Sequence, residues 1–464
     1  MAPQKLTEYE RKRLDNIRRN HEMIAALKIH SKATQLSKRS SSVANKSYSL
    51  KSEKKAKIET PIVIRRSLRT RGIPPDSKAL HSDTVTLTHS SPTKTLTLGP
   101  LSMVDAQDGT HCHRSFVESL VSMAQEDTSP EQLVSGKGEK KGNNEAFLDL
   151  ERESLSLDPE NIARVVPGRI TNVRFFPSSS VKMIMAGNKL GNIGFWNVGE
   201  SDVYLYRPHR APISGILVQS HSLSKIYTSC YDGFVRLMDA EKEIFDLVLD
   251  SDETIYSLSQ PTNEANCLYF GEGGGGLTVW DNRIGKRSSQ WVLHESRINT
   301  IDFNSKNPHI VATSSSDGTA CTWDFRYIDG DKLTALRTFT HKRAVQSAYF
   351  SPSGCSLATT SMDDTIGIYS GVNLEDAVTV DHNNQTGRWL SSFRAKWGWD
   401  DSYLFVGNMK RGVDVVSAVR RRIVKTLQSP HISAIPCRFD THSHELGMLA
   451  GATSGGQVYI WTSR

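Results

Sequence analysis

The sequence has no apolar run approaching the ~18–20 residues that a membrane span needs. Its N-terminus is charged throughout, which reads against a signal peptide. Six cysteines (Cys112, Cys230, Cys267, Cys321, Cys355, Cys437) are scattered with no Cys-x-x-Cys pair, a pattern that fits a reduced compartment and no disulfide framework. His111-Cys112-His113 is a lone metal-like cluster, and nothing nearby completes four ligands, so no metal and no cofactor are expected. Aromatics are scarce at the front. Only Tyr9, Tyr48, Phe116 and Phe147 of 36 precede residue 151. A packed core therefore belongs to the last 314 residues, and the first 150 are too polar to offset their ordering entropy.

Acidic residues are equally uneven. Residues 1–75 hold 19 basic and 6 acidic residues (+13), residues 76–150 hold 6 and 11 (−5), and the remainder hold 32 and 33 (−1). This divides the chain into a basic tail (1–75), an acidic flexible linker (76–158) and a neutral body (159–464). In the tail, Thr7-Glu-Tyr-Glu10 has capping-box form, and Leu14, Ile17, Ile24 and Leu27 follow at near-helical spacing, so a helix is expected over about 7–29. Lys54, Lys55 and Lys57, then Arg65, Arg66, Arg69 and Arg71, form basic clusters suited to nuclear import or to a DNA-binding arm.

The body repeats. Apolar stretches, Gly/Asp turns and a closing aromatic recur with closing positions at 196, 238, 280, 323, 369, 416 and 461, in steps of 42, 42, 43, 46, 47 and 45. Three segments end Trp-Asn or Trp-Asp (Trp196-Asn197, Trp280-Asp281, Trp323-Asp324), whereas Met238, Tyr369 and Val416 replace the Trp elsewhere. A period near 40–45 with a Trp-Asp ending is the signature of an all-β, seven-bladed WD40 propeller. The fourth repeat carries a His294, Ser/Thr, Asp317, Trp323 tetrad. The last repeat lacks an outer strand, which Asn161–Pro167 is expected to supply, with a segment near Phe147-Leu-Asp-Leu150 as the rival.

In such a fold the d–a and b–c loops share one face. The residue before strand a reads Arg169, Arg210, Glu253, Arg297, Arg343, Arg388 and His431 around the ring, and Lys189, Lys342, Lys410 and Arg411 fall on the same face. A positive rim on a neutral domain suits the phosphate backbone of duplex DNA. Solvated charge and an acidic peptide remain alternatives. Trp389 beside Arg388 either stacks on a base or packs inward. On the opposite face, Trp280-Asp-Asn-Arg283 and Trp323-Asp-Phe-Arg326 each place an Arg two residues after an Asp, so Asp281 and Asp324 would fix Arg283 and Arg326 for docking. The sequence has no Ser/His/Asp arrangement, no Gly-rich phosphate loop leading into a helix and no metal-ligand spacing. It therefore reads as a binding protein without a small-molecule substrate, not an enzyme.

The Thr-Glu-Tyr-Glu…Asn-Ile…Asn helix, Arg65-Arg-Ser-Leu-Arg-Thr-Arg-Gly72 and Gly168-Arg-Ile-Thr-Asn-Val173 resemble the WD repeat-containing protein seventy-six family, which includes the yeast changed-mutation-rate protein. Its propeller is similar to that of the small damaged-DNA-binding subunit of excision repair. The resemblance implies a nuclear, chromatin-associated protein that binds damaged or modified duplex DNA. It extends to reading 5-hydroxymethylcytosine or histone peptides, and to docking on the propeller adaptor of a cullin-four ubiquitin ligase through Arg283 and Arg326. In the repair subunit, a loop at the place of Thr386–Trp389 wedges into the duplex. Here the Phe-containing tripeptide is missing and Trp389 is the only substitute.

Overall fold

The computed structural model describes Asp15, Arg18 and Arg19 and, within 99–463, all residues except 110, 112, 127–149, 151–153, 220, 330, 331 and 388. The chain divides into two units, Met1–His89 and Ser90–Arg464. In the first, Asp15, Arg18 and Arg19 are helical, and Arg18 pairs with Asp15 at 3.0 Å. The rest of the expected helix over 7–29 lies outside the described residues, as do Lys54, Lys55, Lys57, Arg65, Arg66, Arg69 and Arg71.

The second unit is a seven-bladed propeller. Antiparallel four-stranded sheets span 170–206, 213–250, 255–292, 298–340, 345–381 and 396–427 as blades 1 to 6, with strands a to d in chain order. Strand b is the most buried, with strand c close behind. Met183–Asn188, Cys267–Glu272 and Leu404–Val406 are fully buried, as expected for strands covered on both faces by neighbouring blades. Blade 4 carries the full tetrad. Trp323 Nε1 donates to Thr313 Oγ1 (2.7 Å), which also meets His294 Nε2 (2.7 Å), and His294 Nδ1 faces Asp317 Oδ2 (3.1 Å). These bonds tie the d–a loop to strands b and c and satisfy each buried polar group.

The ring closes through blade 7. Pro436–Thr441, Leu449–Thr453 and Gln457–Ser463 take Leu155–Arg164 as their outer strand, with Leu155 opposite Ser463, Leu157 opposite Trp461 and Arg164 opposite Gln457. The closing strand thus begins six residues earlier than the 161–167 expected from sequence. Pro159 argues against a strand there. A register break between Leu157 and Ile162 absorbs it, so no ladder donor is needed at the proline. Leu150, from the rival segment, is also buried against Leu155, Leu157 and Trp461. Residues 147–149 lie outside the described set.

The linker expectation needs a larger correction, because residues 99–126 are not a free spacer. Leu101–Ser102 adds a fifth strand to blade 2, opposite Phe245 and Ile244. Helix α1 (Met103–Ala106) follows, capped by Ser102 Oγ, which accepts from Val104 N. Helix α2 (His113–Glu126) then lies on blades 1 and 2. Phe116, Leu120 and Met123 recur at helical spacing and are 2%, 0% and 5% exposed. Phe116 stacks on Tyr204 and tilts against Phe195, both at 4.8 Å. The cluster continues to Met238, which stands where blade 2 lacks its Trp. No described helix is long and apolar enough to cross a membrane.

Candidate nucleic-acid interface

Antiparallel a–b–c–d blades put every d–a and b–c loop on one face, and the expected basic residues lie in those loops. Arg169 immediately precedes strand a of blade 1, and its Nη1 reaches Leu390 O (3.4 Å) across the ring joint. The Arg169 carbonyl accepts from Lys189 N (2.9 Å), which fixes the exposed Lys189 turn beside it. Arg297 is held twice, with Nε donating to Ser316 Oγ (2.8 Å) and the guanidinium 5.0 Å from the Tyr256 ring centroid. Exposed Arg343 reaches Gln385 Oε1 (3.3 Å), and Lys342 beside it projects into solvent. Arg210 is exposed on blade 2. In blade 6, Asn408 Oδ1 accepts from Lys410 N and Gly412 N (3.0 and 2.9 Å), and Arg411 takes a left-handed φ of 62°. That turn leaves both cations at the edge of a shallow depression of about 500 Å³ lined also by Ser429 and Pro430.

Two features differ from the sequence expectation. The column is not uniform: Arg169 and Arg297 abut strand a, whereas Arg343 stands two residues and Arg210 three residues before it. As the column read from sequence already has it, blade 3 presents Glu253 and blade 7 His431, both exposed, so the positive charge lies on blades 4, 5, 6, 1 and 2 and does not form a closed ring. The inward packing of Trp389 is also excluded, since its side chain is 77% exposed. Blade 6 explains this. Its strand a is only Lys396–Trp397, and the preceding loop runs irregularly from His382, so Trp389 is never drawn into the sheet. Arg388 lies outside the described residues.

Sequence reasoning placed the basic residues at the channel mouth but missed the charged wall below it. Strand a lines the channel, with Arg174, Asp302, Lys396, Arg438 and Asp440 on strands a of blades 1, 4, 6 and 7 and Arg394 two residues before that of blade 6. Toward the opposite face the charges balance: Asp440 pairs with Arg174 (3.4 Å) and Lys396 (3.5 Å). Asp302 accepts from Phe350 N (2.7 Å), and burial pushes its carboxyl up to about 6 despite the nearby Lys396 and Arg174. A raised folded-state pKa means stability is fully present below the ordinary carboxylate pKa and is lost as pH rises toward 6. Asp302→Asn is therefore expected to raise the melting temperature at pH 7.5 and to converge with the wild type near pH 4, which calorimetry across pH would check.

On the opposite face the two Asp–Arg pairs adopt the same geometry. Arg283 Nε and Nη2 donate to the Asp281 carboxylate (3.2 and 2.7 Å), and Arg326 Nε and Nη2 to that of Asp324 (3.0 and 2.6 Å). The Arg side chains are 67% and 55% exposed, while their Asp partners are 10% and 4% exposed. Hydrogen bonds from the guanidinium hold each carboxyl below its usual range. Each Arg is followed by an exposed apolar residue, Ile284 (60%) or Tyr327 (71%), which the sequence reading had not singled out.

His113 of the metal-like cluster is engaged on both ring nitrogens, by Tyr206 Oη (2.9 Å) and Glu243 Oε2 (3.2 Å). Cys112 is outside the described residues. A different trio, His209, Cys230 and Asp232, has its ligand atoms within 4.8 Å of one another. Burial pushes the Cys230 thiol well up, and it bonds Ala211 O, whereas a metal ligand must be a thiolate. With Thr228 on His209 Nε2 (2.9 Å), His209, Thr228 and Asp232 stand at the tetrad positions of blade 2, where Met238 replaces the Trp.

A family model described as "WD domain, G-beta repeat" matches residues 285–324 and 333–370. Each match runs from strand d of one blade through strand c of the next, the offset that lets a repeat couple neighbouring blades. The chain is similar to WD repeat-containing protein 76 of Xenopus laevis, at 29% identity over 98% of this chain and 80% of that protein. It is also similar to two proteins named DNA damage-binding protein CMR1. That of Kluyveromyces lactis is 24% identical over 98% of this chain and 99% of its own, and that of Phaeosphaeria nodorum is 29% identical over 65% and 66%. None of these names is an enzyme's.

Proposed function

We propose that this WD40 propeller, similar along its length to WD repeat-containing protein 76 and the CMR1 proteins, is a non-enzymatic, nuclear duplex-DNA-binding protein of the damage response. The observation that carries the reading is the arc of cations on one face of an otherwise neutral domain. Arg297 and Arg343 are oriented by Ser316, Tyr256 and Gln385, so they meet phosphates with little further loss of side-chain freedom. The exposed Trp389 offers an apolar surface inside that arc, suited to stacking on a base or to wedging beside one. The relatives' names support DNA as the partner.

The test is duplex affinity against salt for the full chain. Arg297→Glu with Arg343→Glu is expected to weaken binding at least tenfold and to lower the salt slope by about 2, one per phosphate contact removed. An unchanged slope would move the DNA site away from the propeller.

One further observation favours a second surface on the same molecule. The paired, pre-oriented Arg283 and Arg326 on the opposite face support docking to the cullin-four ligase adaptor, making the chain a substrate receptor. The two readings use different faces and are compatible.

A further inference from the structure

The throat of the channel, one layer below the basic rim, carries a charge that nothing among the described residues balances. Arg438 comes from strand a of blade 7, and Arg394 from the irregular segment two residues before strand a of the adjacent blade 6. Arg438 Nε donates to Thr171 O (3.0 Å), and its Nη1 donates to Ser392 O and to Cys437 O (3.3 Å). Arg394 Nη2 donates to Asn299 O (3.1 Å), and its buried Nε has no partner. Every acceptor is a backbone carbonyl, and neither guanidinium forms an ion pair among the described residues. The contrast with the far end of the channel is sharp, because there Asp302 and Asp440 answer Arg174 and Lys396. Burial first, and then the like charge of Arg394, pull Arg438 down to about 9, so it remains cationic at neutral pH. Two like charges side by side in a low-dielectric channel repel. Carbonyl dipoles orient them without cancelling the charge.

We propose that Arg394 and Arg438 form a binding site for a phosphate-class oxyanion that enters the channel from the basic face. Guanidinium groups converging from two blades, with Arg169 of blade 1 at the same joint, suit an anion with oxygens pointing in several directions better than a planar carboxylate. The mouth is flanked by Tyr231 and Tyr256, whose rings lie 4.5 Å apart, with Arg297 over Tyr256. The oxyanion is either a free phosphate compound or the terminal phosphate of a DNA strand. The second source rests on the reading that the rim binds DNA, and the first does not.

The experiment uses the full chain and inorganic pyrophosphate, with sodium chloride at matched ionic strength as the control. Pyrophosphate is expected to raise the melting temperature saturably. Arg394→Gln should abolish that rise and weaken binding at least tenfold, and Arg394→Lys should restore part of it. Phenylglyoxal modification of the unmutated chain, mapped by mass spectrometry, needs no variant. Pyrophosphate should protect Arg394 and Arg438 and leave Arg210 reactive. No melting shift beyond the chloride control, or a shift that survives in Arg394→Gln, overturns the site, as does modification that pyrophosphate leaves unchanged. A duplex with a 5′-phosphorylated overhang, compared with its 5′-hydroxyl twin, separates the sources. A preference lost in Arg394→Gln assigns the anion to DNA, whereas equal binding alongside a retained pyrophosphate shift assigns it to a free anion. The rim double variant keeps this failure distinct from failure of the DNA reading, since it should weaken duplex binding and keep the pyrophosphate shift.

Discussion

A chain beginning at residue 168 is expected not to fold, and one beginning at residue 127 to fold with a melting temperature several degrees lower. The first deletion removes the outer strand of blade 7. It strips six registered pairings from Gln457–Ser463 and exposes the surface that Leu155, Leu157, Val165 and Val166 bury at 1–7% exposure. Four such side chains contribute roughly 1.5–3 kcal/mol each, and the ring also gains two open sheet edges. The sum approaches the whole stability of a domain, about 5–15 kcal/mol. The second deletion leaves the ring closed. It removes Phe116, Leu120 and Met123 from blades 1 and 2, and Met103 with them, but it also releases the ordering entropy of some 25 residues, so the net loss is smaller. Circular dichroism melts of chains starting at 90, 127 and 168 would check the order. A fully stable 168–464 chain would mean that the blade 7 closure is dispensable.

The contrast between these two segments shows what the sequence disclosed. The propeller was legible because its signal repeats: the Trp and Gly/Asp punctuation recurs at a period that few architectures share. The tetrad around His294 was legible for the same reason. The packing of α2 was not, because Phe116, Leu120 and Met123 form a single helical stripe inside a segment whose average charge is negative. Composition averages over a window erase a stripe of three. The early start of the closing strand was hidden by Pro159, whose cost is removed by a bulge that no local pattern announces. On the basic face, residue type and loop position sufficed to find Arg297, Arg343 and the interruption at Glu253, but not the outward turn of Trp389. That turn depends on how the loop before strand a of blade 6 runs in space. Arg394 and Arg438 were invisible for a simpler reason. Charged residues in a strand, as Arg438 is, or just before one, as Arg394 is, read as solvent-facing, and only a closed ring turns that side into a channel.

Replacing Arg283 and Arg326 together by Ala is expected to reduce adaptor binding at least a hundredfold while leaving duplex affinity and melting temperature nearly unchanged. The structural reason is that the pairs add little to the fold. Each guanidinium is more than half exposed, and surface ion pairs contribute at most about 1 kcal/mol. Their effect is on orientation. The buried Asp281 and Asp324 carboxylates hold both guanidinium planes in parallel forks on adjacent blades, and the outer edges of those planes stay free for a partner's carbonyls or carboxylates. Ile284 and Tyr327 sit beside them as exposed apolar anchors, the composition expected at the centre of a docking patch. Asp281→Asn with Asp324→Asn provides the sharper comparison. It keeps both arginines and the apolar neighbours but weakens the forks, so binding should fall by an intermediate factor, about tenfold. If the asparagine variant bound as well as the wild type, orientation by the carboxylates would be irrelevant to docking. If the alanine variant still captured the adaptor, the docking surface would lie elsewhere on the propeller.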